Sequence, residues 1–288
     1  MNKWGAKLPI FLLETIMSLY EPFSINSGTL QYNLRSFNNW TKFMSRNLLS
    51  VSADAKTIKG EKFGYLTGIL YLAPHDISGH QVCPKATPGC IAACLYSAGR
   101  GAYTNVQKAR IQKTIEFFKD REQFMSDLVE DIEKLERKAK REGLNPVVRL
   151  NGTSDLPFEK FKCVRDGKEY TNLMTAFPNV NFMDYTAILG RKAALSLPNY
   201  HLTFSLKESN DKDAVKALKE GYNIAVVMKV KKNESKPDFW NKIPVVDGDE
   251  SDLRFLDPKG NHVVALTAKG KARYDKSGFV RDVNGTLN

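Results

Sequence analysis

Seven short apolar runs between residues 65 and 267 limit the fold more than any other feature of the sequence. Runs of this length, rich in Val, Ile, Leu and Phe and separated by polar or helical stretches, are typical of buried β-strands. The strands are predicted at residues 65–73, 146–150, 180–185, 201–206, 223–230, 243–247 and 262–267.

Two segments between these runs have the pattern of helices. Residues 104–141 carry apolar side chains at steps of three and four residues, and Gly143 follows as a helix end. A second helix is predicted for residues 211–220, closed by Gly221. Strands that alternate with helices predict an α/β fold with a mostly parallel sheet. Seven strands suit a complete or partial (β/α) barrel, and a doubly wound sheet is the alternative.

The chain divides into two parts by composition. Residues 1–46 are rich in Asn, Ser and aromatic residues and predict an N-terminal arm or helical extension. Residues 47–288 are expected to form the α/β metal-binding domain. The apolar stretch 8–20 is too short to cross a bilayer and lacks a small-residue cleavage site. We therefore expect a cytoplasmic protein with no signal peptide and no membrane association.

Three of the four cysteines, Cys83, Cys90 and Cys94, lie in one short loop with the spacing C-x6-C-x3-C, after the first predicted strand. Loops that gather thiols in this way bind iron–sulfur clusters or zinc. Structural zinc sites more often use C-x2-C pairs, which this chain lacks. An iron–sulfur cluster is the favoured prediction and zinc is the alternative. A further alternative is that the three cysteines are simply buried and bind no metal.

The number of cysteine ligands decides what a cluster does. Three thiolates on a [4Fe–4S] cluster leave one iron open to a substrate or cofactor. A fourth ligand from Cys163 would close the cluster, which would then serve electron transfer or structure. Cys163 lies in a charged, turn-like segment, and the sequence leaves both arrangements open.

Polar residues follow the apolar runs, and ligands of α/β proteins gather at the carboxyl ends of strands. Two of the carboxylates, Asp155 and Asp184, are expected to face the same cavity as the cysteine loop. The alternative is that such residues only cap helices or form turns. The predicted catalytic residues are Asn151, Asp155, Asp184 and Glu208, and the predicted substrate-binding residues are Arg100 and Lys269.

The sequence is basic, with 43 Lys and Arg against 32 Asp and Glu and a net charge of +11. A basic chain is compatible with a nucleic acid or another polyanion as partner. Four lysines cluster late in the chain, and a solvated lysine-rich face is the competing interpretation. These lysines are Lys229, Lys231, Lys232 and Lys236.

Several segments resemble an uncharacterised family of bacteriophage proteins known as "gene product eighty-eight", over residues from about 47 to 282. The similarity lies in YLTGILYLAP, SGHQVCPKATPGCIAACLYSAGRG, VRLNGTSD, FMDYT and VVDGDESDLRFLDPKG. The resemblance implies a phage protein in the host cytoplasm and leaves its activity open. The arm before residue 47 is not part of it.

A looser similarity is to radical S-adenosylmethionine enzymes, which carry three cysteines in a loop after the first strand of a partial barrel. That similarity implies S-adenosylmethionine as a cofactor of the cluster. The spacing here departs from the usual C-x3-C-x2-C of those enzymes.

Three functions are compatible with the sequence. The leading one is an iron–sulfur-dependent enzyme, of radical S-adenosylmethionine type if the looser similarity holds, that acts on a nucleotide, nucleic acid or other anionic substrate. The second is a non-catalytic nucleic-acid-binding protein with a structural cluster or zinc. The third is a metal-dependent hydrolase that uses the strand-end carboxylates.

Overall fold

Ten strands form one sheet in the part of the chain described by this computed structural model, residues 47–52, 55–231 and 234–287. The arm predicted for residues 1–46 lies outside the described residues. Seven of the parallel strands each correspond to one of the predicted apolar runs. They are β2 (Tyr65–Leu70), β3 (Asn145–Arg149), β6 (Asn181–Thr186), β7 (Tyr200–Ser205), β8 (Asn223–Lys229), β10 (Ile243–Asp247) and β11 (Val263–Thr267).

The remaining strands are short, and the sequence patterns did not predict them. Three belong to the large sheet, whose order is β1-β2-β3-β6-β7-β8-β11-β10-β9, with β12 paired to β8. The other two form a separate antiparallel pair. These strands are β1 (Leu49–Val51), β4 (Cys163–Arg165), β5 (Lys168–Tyr170), β9 (Phe239–Trp240) and β12 (Arg281–Asp282).

The structure confirms an α/β fold with a largely parallel sheet. Strands β1 and β9 pair antiparallel with their single neighbours, and the hydrogen-bonded ladder of the described strands ends there. The ladder does not close on itself, so the predicted complete barrel is not confirmed. No helix in the described residues is both long and apolar enough to cross a membrane.

The predicted helical stretch 104–141 is two helices, α3 (Thr104–Lys119) and α4 (Arg121–Glu142), which follow two short helices, α1 (Ala55–Glu61) and α2 (Pro88–Ala92). The break falls at Asp120, whose carboxylate caps α4 by accepting from the Gln123 N–H at 3.0 Å. Gly143 ends α4 in the left-handed region, as predicted. Two more short helices follow, α5 (Leu173–Ala176) and α6 (Lys192–Leu195), and then α7 (Asp211–Lys219).

The two faces of the sheet pack against different partners, because successive strand residues point to opposite sides. Val148 and Phe182 belong to the large core that includes the apolar face of α4. Their neighbours Val147 and Met183 pack instead against Leu253, in the segment that follows β10. Leu253 and Phe255 of this segment thus cover the part of the second face that β2, β3, β6 and β7 form.

Candidate functional site

A cavity of about 280 Å³ lies at the carboxyl ends of the parallel strands. Its wall includes Arg149 at the end of β3, Thr186 at the end of β6, Ser205 at the end of β7 and Thr267 at the end of β11. The cysteine loop after β2 supplies another wall. The cavity therefore occupies the place where α/β folds bind their ligands.

The structure brings Cys83, Cys90 and Cys94 together, since all three line this cavity. The pKa of the Cys83 thiol is raised to about 12, mainly by burial and to a smaller extent by the neighbouring Cys94 and Cys90. The hydrogen bond from the backbone N–H of His75 acts in the opposite direction and lowers this pKa. The His75 N–H donates to the Cys83 sulfur at 3.3 Å. Burial also raises the pKa of Cys90 and of Cys94. The three thiols are thus close enough to interact electrostatically.

Helix α2 carries Cys90, and Glu208 holds its first turn. Thr87 caps the helix, and its hydroxyl donates to one Glu208 oxygen at 2.7 Å. The Gly89 N–H donates to the other oxygen at 2.7 Å. A methyl group on Gly89 would lie 2.1 Å from the Ser277 hydroxyl and 2.9 Å from the Glu208 carboxyl carbon, so only glycine fits without displacement.

Glu208 was predicted to be catalytic, but both of its oxygens bind the cysteine loop. It is also absent from the residues that line the cavity in the described part of the chain. Through these two hydrogen bonds Glu208 fixes the position of α2 against the end of β7.

Two buried cations flank the thiols. Arg110, 8% exposed, stacks on the Tyr71 ring with its guanidinium carbon 4.5 Å from the ring centre. Its Nε and Nη1 have no hydrogen-bond partner among the described residues. Lys207, 7% exposed, lines the cavity and donates to the Lys85 carbonyl at 2.5 Å. After burial, Lys207 is the largest influence on the pKa of Cys90, which it lowers. Buried cations of this kind favour negative charge at the thiols.

Asp155 lies in the cavity wall, as predicted. Its Oδ2 accepts from the Ala187 N–H at 2.8 Å, while its buried Oδ1 has no hydrogen-bond partner in the described residues. Arg191 Nη1 is 3.7 Å from that Oδ1. Burial raises the pKa of the Asp155 carboxyl. Its own N–H donates to the Val82 carbonyl at 2.8 Å and ties this wall to the cysteine loop.

Asp184 does not line the cavity and was wrongly expected to face the cysteine loop. It lies behind Asn151, whose N–H donates to Oδ1 at 2.6 Å and whose side-chain amide donates to Oδ2 at 3.1 Å. The Tyr200 hydroxyl donates to the same Oδ2 at 2.9 Å. Burial raises the pKa of Asp184 to about 6. Asn151 does line the cavity, and Asp184 holds it there.

A third wall combines Arg149, Tyr185 and Asp252. Arg149 donates to Asp252 at 2.9 Å and lies over the Tyr185 ring at 4.8 Å. Arg149 Nε and the Tyr185 hydroxyl are buried without hydrogen-bond partners in the described chain. Together with Asp155 Oδ1, they leave two groups able to donate and one able to accept on residues that line the cavity.

The two predicted anion-binding residues occupy different places. Lys269 lines the cavity and donates to Asp249 at 2.7 Å. Arg100 is exposed on the short 3-10 turn Gly99–Ala102 and is not part of the cavity wall.

Cys163 is buried in β4 and does not reach this cavity. It lines a second cavity of about 830 Å³, together with Arg121 and Lys162. Burial raises the pKa of its thiol to about 11. The structure thus groups three of the four cysteines and separates Cys163 from them.

The described residues contain no group of three or more His, Cys, Asp or Glu side chains that could hold a metal ion. Ligands of one zinc ion lie about 2.3 Å from it and so converge closely. The thiolates of a four-iron cluster bind different irons and do not converge on one point. The finding therefore concerns a single-ion site rather than a cluster.

Comparison with known families adds one result to this geometry. Residues 43–283 match the model of the family described as Gene product 88. The chain belongs to the gene product 88 family. No curated protein and no solved structure matched this gene product 88 protein. The similarity to radical S-adenosylmethionine enzymes therefore receives no support from known proteins.

Sequence reasoning on this gene product 88 protein missed Arg110 and Lys207. Lys207 directly follows the apolar run 201–206, so the strand-end rule could have found it. Arg110 gave no such signal, because it lies within helix α3 and reaches the cysteine loop through tertiary packing alone.

Proposed function

We propose that Cys83, Cys90 and Cys94 bind an iron–sulfur cluster, most simply [4Fe–4S] with one iron open to the cavity. The observation that carries this proposal is the grouping of three thiols from one loop beside two buried cations, Arg110 and Lys207. Three thiolates give such a cluster a negative charge, and buried cations offset the cost of placing that charge inside the protein.

The protein is proposed to be an enzyme that uses this cluster on an anionic ligand, a nucleotide or nucleic acid. A four-iron cluster with an open iron supplies one-electron chemistry or Lewis-acid activation to the ligand bound beside it. Arg149 and Tyr185 would donate hydrogen bonds to that ligand, and Asp155 Oδ1 would accept one. Lys207 and Lys269 add positive charge at the same cavity.

Measured iron and sulfide after anaerobic reconstitution test the cluster. Each of the variants Cys83→Ala, Cys90→Ala and Cys94→Ala is expected to lower cluster content at least fivefold, because the proposed cluster has only these three cysteine ligands. Cys163→Ala is the matched control and should keep the wild-type content, since Cys163 lies outside the cavity. A wild-type chain that takes up neither iron nor sulfide contradicts the proposal, and stoichiometric zinc in its place favours the structural-metal alternative.

More specifically, the proposed enzyme is of the radical S-adenosylmethionine type, and its sheet forms a partial barrel. Its support is the position of the three-cysteine loop after β2, at the carboxyl ends of a parallel sheet. Reconstituted protein reduced with dithionite should convert S-adenosylmethionine to methionine and 5′-deoxyadenosine. Full cluster content without this turnover would leave the iron–sulfur proposal and remove the radical one.

The hydrolase alternative has less support. Asp184 and Glu208 accept hydrogen bonds with both oxygens, and neither lines the cavity in the described chain. Of the predicted carboxylates only Asp155 lines the cavity in the described chain, and its Oδ1 accepts no hydrogen bond there but lies 3.7 Å from Arg191 Nη1.

A further inference from the structure

We propose that the rim of the cysteine-loop cavity binds a single-stranded nucleic acid. This inference rests on one part of the proposed function, namely that this cavity binds an anionic ligand. The rim surface consists of exposed residues from the loop after β2 and from the 3-10 turn after β11. Its members are Leu95, Arg100, Tyr103, Lys271, Arg273 and Tyr274, and it is called the mouth patch below.

The two halves of the mouth patch are neighbours at the cavity. The 3-10 turn Leu95–Ser97 contacts both the Gly99–Ala102 turn and the Gly270–Tyr274 turn. A methyl group on Gly270 would lie 3.0 Å from the Cβ of Ala98. Leu95 lines the cavity from the first half, and Lys269 lines it from the segment that leads into the second. Leu95 and Lys269 therefore connect the cavity wall to the two halves of the mouth patch.

The mouth patch is basic without acidic neighbours in its own segments. No Asp or Glu occurs between Asp76 and Glu116, a stretch that contains the whole cysteine loop. The second half carries Lys271, Arg273 and Lys276 against Asp275, besides Lys269, which pairs with Asp249 at 2.7 Å. Asp275 accepts from the Val280 N–H at 3.0 Å and from the Ser277 hydroxyl at 2.7 Å. Its carboxylate is thus engaged by its own loop.

Aromatic rings stand among these cations. Tyr274 is 83% exposed and Tyr103 is 61% exposed. Leu95 is 55% exposed. Single-stranded nucleic acids are bound by such combinations, in which cations follow the backbone and rings stack on unpaired bases. A duplex hides its base faces and would leave these rings unused.

The cavity is small for a ligand site. Its volume of about 280 Å³ lies just below the usual range of small-molecule pockets, about 300 to 1,000 Å³, and the cysteines that would hold the proposed cluster line it as well. In this proposal one base of the strand reaches the cavity while the adjoining nucleotides remain on the mouth patch, in the way that enzymes acting on a base take one nucleotide out of its strand.

The lysine cluster predicted from sequence is a weaker surface. Lys236 pairs with Asp249 at 2.8 Å, and Lys231 pairs with Glu234 at 3.1 Å. Lys232 lies outside the described residues. The charges of that cluster are partly neutralised by its own neighbours, which favours the mouth patch as the binding surface.

Fluorescence anisotropy of the full-length chain with labelled strands of about 20 nucleotides tests the proposal. Single-stranded DNA and RNA should bind at low salt at least tenfold more tightly than duplex DNA of the same length. Lys271→Ala/Arg273→Ala should weaken binding at least tenfold and reduce the slope of log affinity against log salt by about 1.4. Tyr274→Ala should weaken binding about fivefold, and Tyr274→Phe should not, because the ring stacks.

The matched control is Lys212→Ala/Lys219→Ala on α7, which removes the same charge from exposed positions that do not line the cavity. It should change affinity less than twofold. Equal losses in the two double variants, tighter binding of duplex, or no strand binding at low salt would overturn the proposal. Cluster content is measured on the same samples, so a chain that binds strands without a cluster refutes the proposed enzyme and not this surface.

Discussion

Some residues at this site face the cavity, and others lie behind them and hold the cavity-lining residues in place. In β6, Met183 packs on the second face of the sheet and Tyr185 lines the cavity, so strand alternation places Asp184 between them on the opposite face. Alternation along β6 predicts that Asp184 faces away from the cavity, whereas its position near the end of a strand predicts that it faces the cavity. The structure follows the alternation. Asp184 therefore supports Asn151 from behind.

Asp184 should make stability depend on pH in a direction that a variant can isolate. Burial raises its pKa from 3.8 to about 6, so the folded chain keeps a proton that the unfolded chain has already lost between these values. Stability from this group is then lost as pH rises. At about 1.4 kcal/mol per pKa unit, the loss approaches about 3 kcal/mol by pH 7.

The measurement compares urea unfolding of wild type and Asp184→Asn at about pH 4 and about pH 7. The variant does not ionise, so its free energy of unfolding should gain on that of wild type by about 2 to 3 kcal/mol over this range. A difference between the two proteins that stays constant with pH would show that Asp184 is ionised at both values.

At the level of helices and strands, the long-range pattern was predictable and the local interruptions were not. All seven apolar runs are strands, because buried parallel strands need continuous apolar sequence. The break at Asp120 was missed because helical spacing continues across it, and only the capping bond to Gln123 marks it. The short strands β1 and β9 carry too few residues for a pattern and depend on their neighbours in the sheet.

The docking of α2 onto the end of β7 depends on one side chain. Glu208→Gln keeps one acceptor oxygen and places an amide N–H₂ where Thr87 or Gly89 now donates. We expect a loss of about 1.5 to 3 kcal/mol in the free energy of unfolding, typical of a lost hydrogen bond to a charged group. Because Cys90 is on this helix, release of iron from the proposed cluster to a chelator should be several-fold faster than in wild type.

Glu220→Gln, at an exposed position that ends α7, removes the same charge and serves as the control. It should leave both stability and iron release unchanged. Equal rates of iron release from wild type and Glu208→Gln would show that this contact does not position the cysteine loop.

Across the whole molecule, contacts other than strand pairing join parts of the sheet that are distant in the ladder. Arg149 ends β3, and its ion-pair partner Asp252 follows β10, near the other edge of the sheet. Tyr65 at the start of β2 packs edge-on against Phe255, with ring centres 5.0 Å apart. No local sequence pattern encodes these pairs, since their members lie more than a hundred residues apart, and only the assembled fold reveals them.

The buried pair of Arg149 and Asp252 should therefore matter more than its single 2.9 Å contact would at the surface. Their side chains are 15% and 6% exposed, so Arg149→Met leaves a carboxylate buried without its cation. The expected loss is about 3 to 5 kcal/mol in the free energy of unfolding. Lys162→Met, which breaks the exposed 2.8 Å pair with Glu169, is the control and should cost far less, because both partners are solvated. Adding Asp252→Asn to Arg149→Met should recover part of the loss, because the Asp252 carboxylate of the single variant stays buried with less compensating positive charge. Similar losses for Arg149→Met and Lys162→Met in urea unfolding would mean that this pair does not join the two sides of the sheet.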